Sequence, residues 1–173
     1  NIGLPVLDAL IEAEQSGMPD VFVLELSSFQ LETTSSLNAS AATVLNISED
    51  HLDRYTGMDH YSAAKTRVFH GSGIQILNRE DARTMVMALP GRKVETIGLD
   101  APANECDWGI LKQDGQQWLA QGSKRLLPVN ELTLAGLHNA ANALAALALC
   151  RAIGLPFEPL LDGRALRKWF PVT

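Results

Sequence analysis

Residues 41–77 read AATVLNISEDHLDRYTGMDHYSAAKTRVFHGSGIQIL, and this stretch alternates between two hydrophobic patterns. The apolar run at 41–47 has the length and composition of a strand covered on both faces, and residues 74–77 form a second such run. Residues 60–69, between them, follow the spacing of a helix. Because a helix that joins two strands of a sheet makes them parallel, we predict an α/β domain with a three-layer, mostly parallel sheet and flanking helices.

The rest of the chain continues this alternation. VFVL at 21–24 predicts another strand covered on both faces, and the segment 93–99 predicts a further strand. Apolar runs around Trp108 and Trp118 flank the turn QDGQ at 113–116, which predicts a small β-hairpin in addition to the parallel strands. The remaining predicted helices span 5–14, 80–89, 139–153 and 158–169.

Composition limits the classes of function. With 173 residues, of which 46% are hydrophobic, the chain can bury the core of one domain. A net charge of -6 argues against binding to nucleic acid, because phosphates attract concentrated positive charge. No apolar run reaches the roughly 20 residues that span a membrane. The two cysteines, Cys106 and Cys150, fit neither a disulfide framework nor a zinc pattern, which favours a reducing cytoplasm.

The first candidate site follows the predicted strand at 21–24. Ligands of parallel sheets collect outside the carboxyl ends of the strands, and Glu25 lies at such an end. Its carboxylate could hold Mg²⁺ beside a phosphate group. The alternative interpretation is that Glu25 is a solvated acid and that Ser27 caps the start of a helix.

The second candidate site follows the predicted strand at 41–47, in the segment SEDHLDRY at 48–55. Its three acids and His51 would reach the same sheet edge as Glu25, which favours a metal or phosphoryl site, although Mg²⁺ prefers oxygen ligands to histidine. The alternative is that Asp50 caps the next segment while Asp53 faces solvent.

Two further candidates lie on predicted helices. Lys65 could pair with phosphate or, if deprotonated, take up CO₂ and become a carbamate that offers oxygen to a metal; a solvated helix lysine is the alternative. Asn139 and Asn142 are three residues apart at a helix start, so their amides share one face and could contact a nucleobase. The alternative is an asparagine cap on a core helix.

The segments NIGLP, LELSSFQLETTSSL, LNISEDHLDRY, YSAAKTR and LAGLHNAANALAALAL follow one another along the chain as far as about residue 156. In this order they resemble the successive motifs of the Mur ligases. Five motifs in order are far more specific than any one of them. Within the family, ELSSFQLE is similar to the members that add D-glutamate, so the expected substrates are ATP, D-glutamate and UDP-N-acetylmuramoyl-L-alanine.

The resemblance also implies roles for individual residues. Glu25, His51 and Lys65, the last as a carbamate, are the expected catalytic residues and ligands of Mg²⁺. Asn139 and Asn142 are the expected contacts to the adenine of ATP. Residues expected near the uridine nucleotide substrate are Asn1, Ser27 and His51. The implied reaction is an ADP-forming ligation through an acyl phosphate, in a cytoplasmic enzyme that is a monomer when full length.

The resemblance implies a division of the chain as well. Residues 1–156 are expected to form an incomplete central ATP-binding domain, whose Gly-rich phosphate loop would precede Asn1, and residues 157–173 to begin the connection to a C-terminal domain. By this expectation the piece is inactive on its own. Two alternatives stay open: a related ligase of the Mur or folylpolyglutamate type with another amino acid, and a degenerate nucleotide-binding module without catalysis.

Overall fold

The computed structural model describes residues 3–49, 54–132 and 136–161. Its strands are β1 Ala41–Val44, β2 Ile74–Asn78, β3 Val94–Ile97, β4 Trp108–Gln113, β5 Gln116–Gln121 and β6 Lys124–Pro128. Its α-helices are α1 Val6–Ser16, α2 Ser28–Thr33, α3 Met58–Thr66, α4 Ala82–Met85, α5 Leu137–Ala152 and α6 Phe157–Leu161. Short 3-10 helices follow at Arg67–Phe69 and Val129–Glu131.

The six strands form one sheet in the order β1-β2-β3-β4-β5-β6. The first four are parallel neighbours, with Val44 opposite Leu77 and Ile97 opposite Trp108. β4, β5 and β6 are antiparallel, and the turn between β4 and β5 has positive φ at both Asp114 and Gly115. An Asp-Gly pair adopts this left-handed conformation at little cost, so the predicted hairpin forms and extends the parallel sheet.

The sheet is covered on both faces. Ile76 and Ile97 pack with α5 and Phe157 in one buried cluster. Leu77, the neighbour of Ile76, points the other way and packs with Val44, Phe69 and α3 in a second cluster. Successive side chains of a strand face opposite sides, which explains the continuous apolar runs. The predicted three-layer α/β fold is therefore confirmed.

The predicted strand at 21–24 is wrong. The segment 21–27 has no regular secondary structure, and Val23 is 85% exposed. A strand exists through hydrogen bonds to a neighbour, and among the described residues the sheet ends at β1, so this apolar run has no partner.

Two other elements are shorter than predicted. β1 ends at Val44 because the backbone groups that follow it bond to side chains instead of to a neighbouring strand. Asn78 Nδ2 donates to Leu45 O at 2.6 Å, and Ile47 N donates to Asp81 Oδ2 at 2.7 Å. α4 ends at Met85, after which Met87 N and Ala88 N bond to carbonyls three residues back, the pattern of a tightened turn.

No helix in the described part of the chain is long and apolar enough to cross a membrane.

Candidate functional site

Ser27 begins the short helix α2. Its Oγ accepts a hydrogen bond from Gln30 N at 3.2 Å, and Ser27 N donates to Gln30 Oε1 at 2.8 Å. This reciprocal capping box satisfies two donors that a helix start would otherwise leave unpaired. The helix-cap interpretation of Ser27 is therefore confirmed. Glu25, two residues earlier, is exposed at the end of the segment without regular structure.

Helix α2 packs against α3, the helix of Lys65, and two arginines join them. Arg67 donates from Nε to Leu31 O at 2.7 Å and from Nη2 to Thr34 O at 3.0 Å. Arg54, which precedes α3, donates to Glu32 Oε2 at 2.9 Å and lies over the Phe29 ring at 4.5 Å. Arg54 lowers the pKa of Glu32, and Glu32 in turn raises the pKa of Arg54.

An aromatic cluster lies beneath these contacts. The buried Tyr55 stacks on Phe29 with the ring centroids 6.3 Å apart and meets Tyr61 at 5.2 Å and the edge of His60 at 5.6 Å. Burial raises the pKa of Tyr55, so the phenol stays neutral at physiological pH. Packed rings hold α2 and α3 in a fixed relation, since buried aromatic side chains contribute strongly to stability.

Lys65 lies in the last turn of α3 and is half-buried. Its Nζ is 6.0 Å from the centre of the Tyr61 ring, one helical turn earlier. Within residues 3–49, 54–132 and 136–161 it forms no ion pair. The amine is thus not paired with a carboxylate of the described residues.

Asn139 and Asn142 both lie near the start of α5 and are half-buried. Gly136, with φ of 111°, occupies the N-cap, so the interpretation of Asn139 as the cap is wrong; its backbone N–H instead bonds to Gly136 O at 3.1 Å. A spacing of three residues keeps the two amides neighbours on the helix surface. Because α5 covers the other face of the sheet from α3, Asn139 and Asn142 lie in a different layer of the fold from Lys65.

Two of the predicted site residues, Asn1 and His51, lie outside the described residues, as do Asp50 and Asp53. Among the residues that the structure does describe, no three His, Cys, Asp or Glu side chains gather in a way that could hold a metal ion. The contribution of the segment around His51 to a metal site therefore stays a prediction.

Arg54 and Arg67 fall within the motifs LNISEDHLDRY and YSAAKTR, but local sequence predicted no role for either arginine. Arg67 is a cation near the end of a predicted helix. Such a residue usually faces solvent and interacts with the helix dipole, so its position alone does not predict a contact with another helix. Its carbonyl partners are more than 30 residues away along the chain, and no local pattern reveals such a contact.

Comparison with known proteins gives a family match and a set of relatives that are similar along nearly the whole chain. The family model described as Mur ligase middle domain matches residues 2–150. A UDP-N-acetylmuramoylalanine--D-glutamate ligase from Nitrosomonas eutropha is 59% identical and aligns with 99% of this chain and 37% of its own length. A ligase of the same name from Thiobacillus denitrificans is 57% identical, over 99% of this chain and 36% of its own. The chain thus spans little more than a third of these relatives.

Solved structures share the fold. A crystal structure of MurF from Acinetobacter baumannii superimposes with a TM-score of 0.53 at 25% identity, over 73% of this chain and 28% of that one. A pseudomurein peptide ligase type C from Methanothermus fervidus gives a TM-score of 0.57 at 17% identity, over 79% and 35% of the two chains, and supports the fold alone. With a family match that covers most of its length, the chain belongs to the Mur ligase middle-domain family.

Proposed function

We propose that this chain is the central part of a cytoplasmic ligase that adds D-glutamate to UDP-N-acetylmuramoyl-L-alanine, with conversion of ATP to ADP, in the synthesis of peptidoglycan precursors. The observation that carries the proposal is the similarity, along 99% of the chain, to relatives named for this ligation. The fold does not select the amino acid, because MurF and a pseudomurein peptide ligase share it. We further propose that residues 1–156 form the central domain and that residues 157–173 begin a connection.

The proposed reaction has two steps. The carboxylate of the L-alanyl substrate attacks the γ-phosphorus of ATP, which forms an acyl phosphate and releases ADP. The amine of D-glutamate then attacks the acyl carbon, an amide forms, and inorganic phosphate leaves while the amine loses a proton. The protein contributes mainly by holding the reactants in line and by offsetting negative charge.

We propose that Glu25 and Lys65 supply oxygen ligands of the kind that Mg²⁺ prefers. Glu25 is exposed and has a carboxylate, and a carbamate on the half-buried Lys65 would offer oxygen of the same kind. His51 is proposed as a third residue of this site. When bound, Mg²⁺ would neutralise phosphate charge. The packing of α2 on α3 supports the proposal, because it makes neighbours of the segment after Glu25 and the helix of Lys65.

The nucleotide and the second substrate are assigned to other residues. We propose that Asn139 and Asn142 orient the adenine of ATP through their amides, which both donate and accept hydrogen bonds. Asn1, Ser27 and His51 are proposed to contact the uridine nucleotide substrate. The Ser27 hydroxyl accepts from Gln30 N and donates to Gln30 Oε1 at 3.0 Å, which leaves one lone pair of its oxygen for a further hydrogen bond.

The test measures phosphate release by the full-length protein that carries this segment, with ATP, Mg²⁺, UDP-N-acetylmuramoyl-L-alanine and a panel of amino acids. We expect release that requires D-glutamate, and a loss of about a hundredfold or more in Lys65→Ala that excess bicarbonate does not restore. Lys112→Ala, which removes an exposed lysine of β4, is the matched control and should keep wild-type activity. Release that depends on a different amino acid would indicate a related ligase. No release with any amino acid would favour the degenerate module.

A further inference from the structure

We propose that Arg67 is a positioning residue of the ligation site, which fixes the short helix α2, and with it Ser27 and Glu25, against the helix that carries Lys65. The inference rests on the proposed function, since it concerns the same site. It assigns a role to a side chain that donates hydrogen bonds to the backbone of α2 and of its C-cap.

Helix α2 needs outside support because it has only six residues. An isolated helix of this length does not persist in water, since nucleation costs more than one or two turns return. The capping box of Ser27 and Gln30 satisfies its first turn. At its other end, Thr34 Oγ1 donates to Gln30 O at 2.6 Å and Thr34 N donates to Leu31 O at 3.3 Å, but both contacts stay within α2 and its cap.

Arg67 joins this end of α2 to α3. Its guanidinium donates from Nε to Leu31 O at 2.7 Å and from Nη2 to Thr34 O at 3.0 Å, so two separate carbonyls are held by one rigid group. A cation is also favourable where the helix dipole is negative. The planar fork determines both the distance and the direction of the contact, which a lysine ammonium could not do.

The position of Arg67 in the chain gives this contact its consequence. It follows Lys65 by two residues and is the C-cap of α3, so both side chains leave the same rigid stretch of backbone. Leu31, one of its partners, is 1% exposed and anchors α2 in the interior. Movement of α2 relative to Lys65 would therefore break the two hydrogen bonds of Arg67 before it disturbed the sheet.

Another arginine of the same chain provides a matched comparison. Arg92 also donates to several backbone carbonyls, among them Phe69 O at 3.1 Å, Gly71 O and Gly73 O. Phe69 O belongs to the 3-10 helix that begins at Arg67, Gly71 O and Gly73 O belong to the connection that follows it, and none of these carbonyls belongs to α2. Arg92→Lys thus weakens the same kind of contact without removing a hydrogen bond to α2.

The experiment compares Arg67→Lys, Arg67→Met and Arg92→Lys in the full-length protein by amide hydrogen exchange and by steady-state kinetics. In both Arg67 variants we expect faster exchange at residues 30–34 with unchanged exchange in β2 and α5. We expect kcat to fall about tenfold or more in these variants, as for other groups that orient a metal or catalytic ligand, while KM for ATP changes less than about twofold. Arg92→Lys should keep the wild-type kcat and the wild-type exchange at residues 30–34.

The two readouts separate this inference from the proposed function. A wild-type protein without D-glutamate-dependent phosphate release would refute the proposed function, while the exchange of residues 30–34 would still report whether Arg67 holds α2. The inference is overturned if Arg67→Lys retains wild-type exchange at α2. It is also overturned if kcat falls equally in Arg67→Lys and Arg92→Lys, because the effect would then be general destabilisation.

Discussion

At the scale of single residues, Asp107 shows how hydrogen bonds outweigh burial. The carboxylate precedes β4 and is 5% exposed. It accepts hydrogen bonds from Thr96 N at 3.1 Å, Thr96 Oγ1 at 2.7 Å and Asn104 Nδ2 at 2.8 Å. Burial by itself raises the pKa of Asp107, but these bonds favour the charged form and bring the pKa below its ordinary value of 3.8.

The lowered pKa of Asp107 predicts how stability depends on pH. The folded protein binds this proton less readily than the unfolded chain, so the stabilising effect is complete above 3.8 and is lost as the pH falls through the lower folded pKa. We expect Asp107→Asn to lower the free energy of unfolding by about 1–3 kcal/mol at neutral pH, and this difference from wild type to shrink as the pH falls below 3.8. Urea unfolding at several pH values measures it.

A matched acid distinguishes this effect from general acid denaturation. Asp20 is exposed, and Asp20→Asn should follow the wild-type stability at every pH. A constant difference between Asp107→Asn and wild type from neutral pH to about pH 3 would contradict the explanation, because the loss would then not depend on ionisation.

At the scale of elements, side chains define where β1 and α4 meet. Asp81 Oδ1 accepts from Arg83 N at 2.9 Å and so caps α4, while its Oδ2 accepts from Ile47 N at 2.7 Å. Asn78 holds the other side of this junction by donating to Leu45 O. The segment just before Asp50 is therefore tied to α4 through a single carboxylate.

This junction predicts the result of removing that carboxylate. Asp81→Ala takes away a helix cap and leaves the part-buried Ile47 N–H unpaired, so we expect a loss of about 2 kcal/mol in the free energy of unfolding. Asp81→Asn keeps one acceptor and should lose about half as much. Asp59→Ala, which removes an exposed acid of α3, should stay near wild type. Denaturant unfolding that gave equal midpoints for Asp81→Ala and Asp59→Ala would show that the junction does not stabilise the fold.

The same junction explains how far sequence could predict this structure. Hydrophobic spacing was sufficient for β2, β3 and α5, because burial on the sheet imposes a pattern that local sequence displays. It could not predict the end of β1 at Val44, because the backbone after Val44 bonds to the side chains of Asn78 and Asp81, which are more than 30 residues away along the chain. Chemical motifs predict Lys65 and Asn142 as site residues, whereas Arg67 donates to carbonyls that are distant in sequence, and no local motif predicts those contacts.

At the scale of the whole molecule, the described chain leaves one region of apolar surface uncovered. Ala13 is the only buried residue of helix α1, and the Leu7 side chain of the same helix is 70% exposed. The segment after α1 adds Val23 at 85% exposed and Phe22 at 42%. Among the described residues, β1 is also an edge strand of the sheet. Exposed apolar surface combined with an unpaired edge favours association between molecules.

We therefore expect the 173-residue chain, expressed alone, to self-associate at concentrations of about 10–100 µM. The double variant Leu7→Lys/Val23→Lys removes the two most exposed apolar side chains of this region. It should shift the chain toward the monomer, because it takes away apolar contact area and adds like charge. Gln15→Lys, on the exposed surface of α1, adds charge without removing an apolar group and should change the association less. Sedimentation velocity over a concentration series measures the mass. A wild-type chain that stayed monomeric throughout the series would mean that the exposed side chains of α1 and of the segment 21–24 do not drive association. If Gln15→Lys shifted the chain toward the monomer as far as Leu7→Lys/Val23→Lys does, the effect would be due to charge instead.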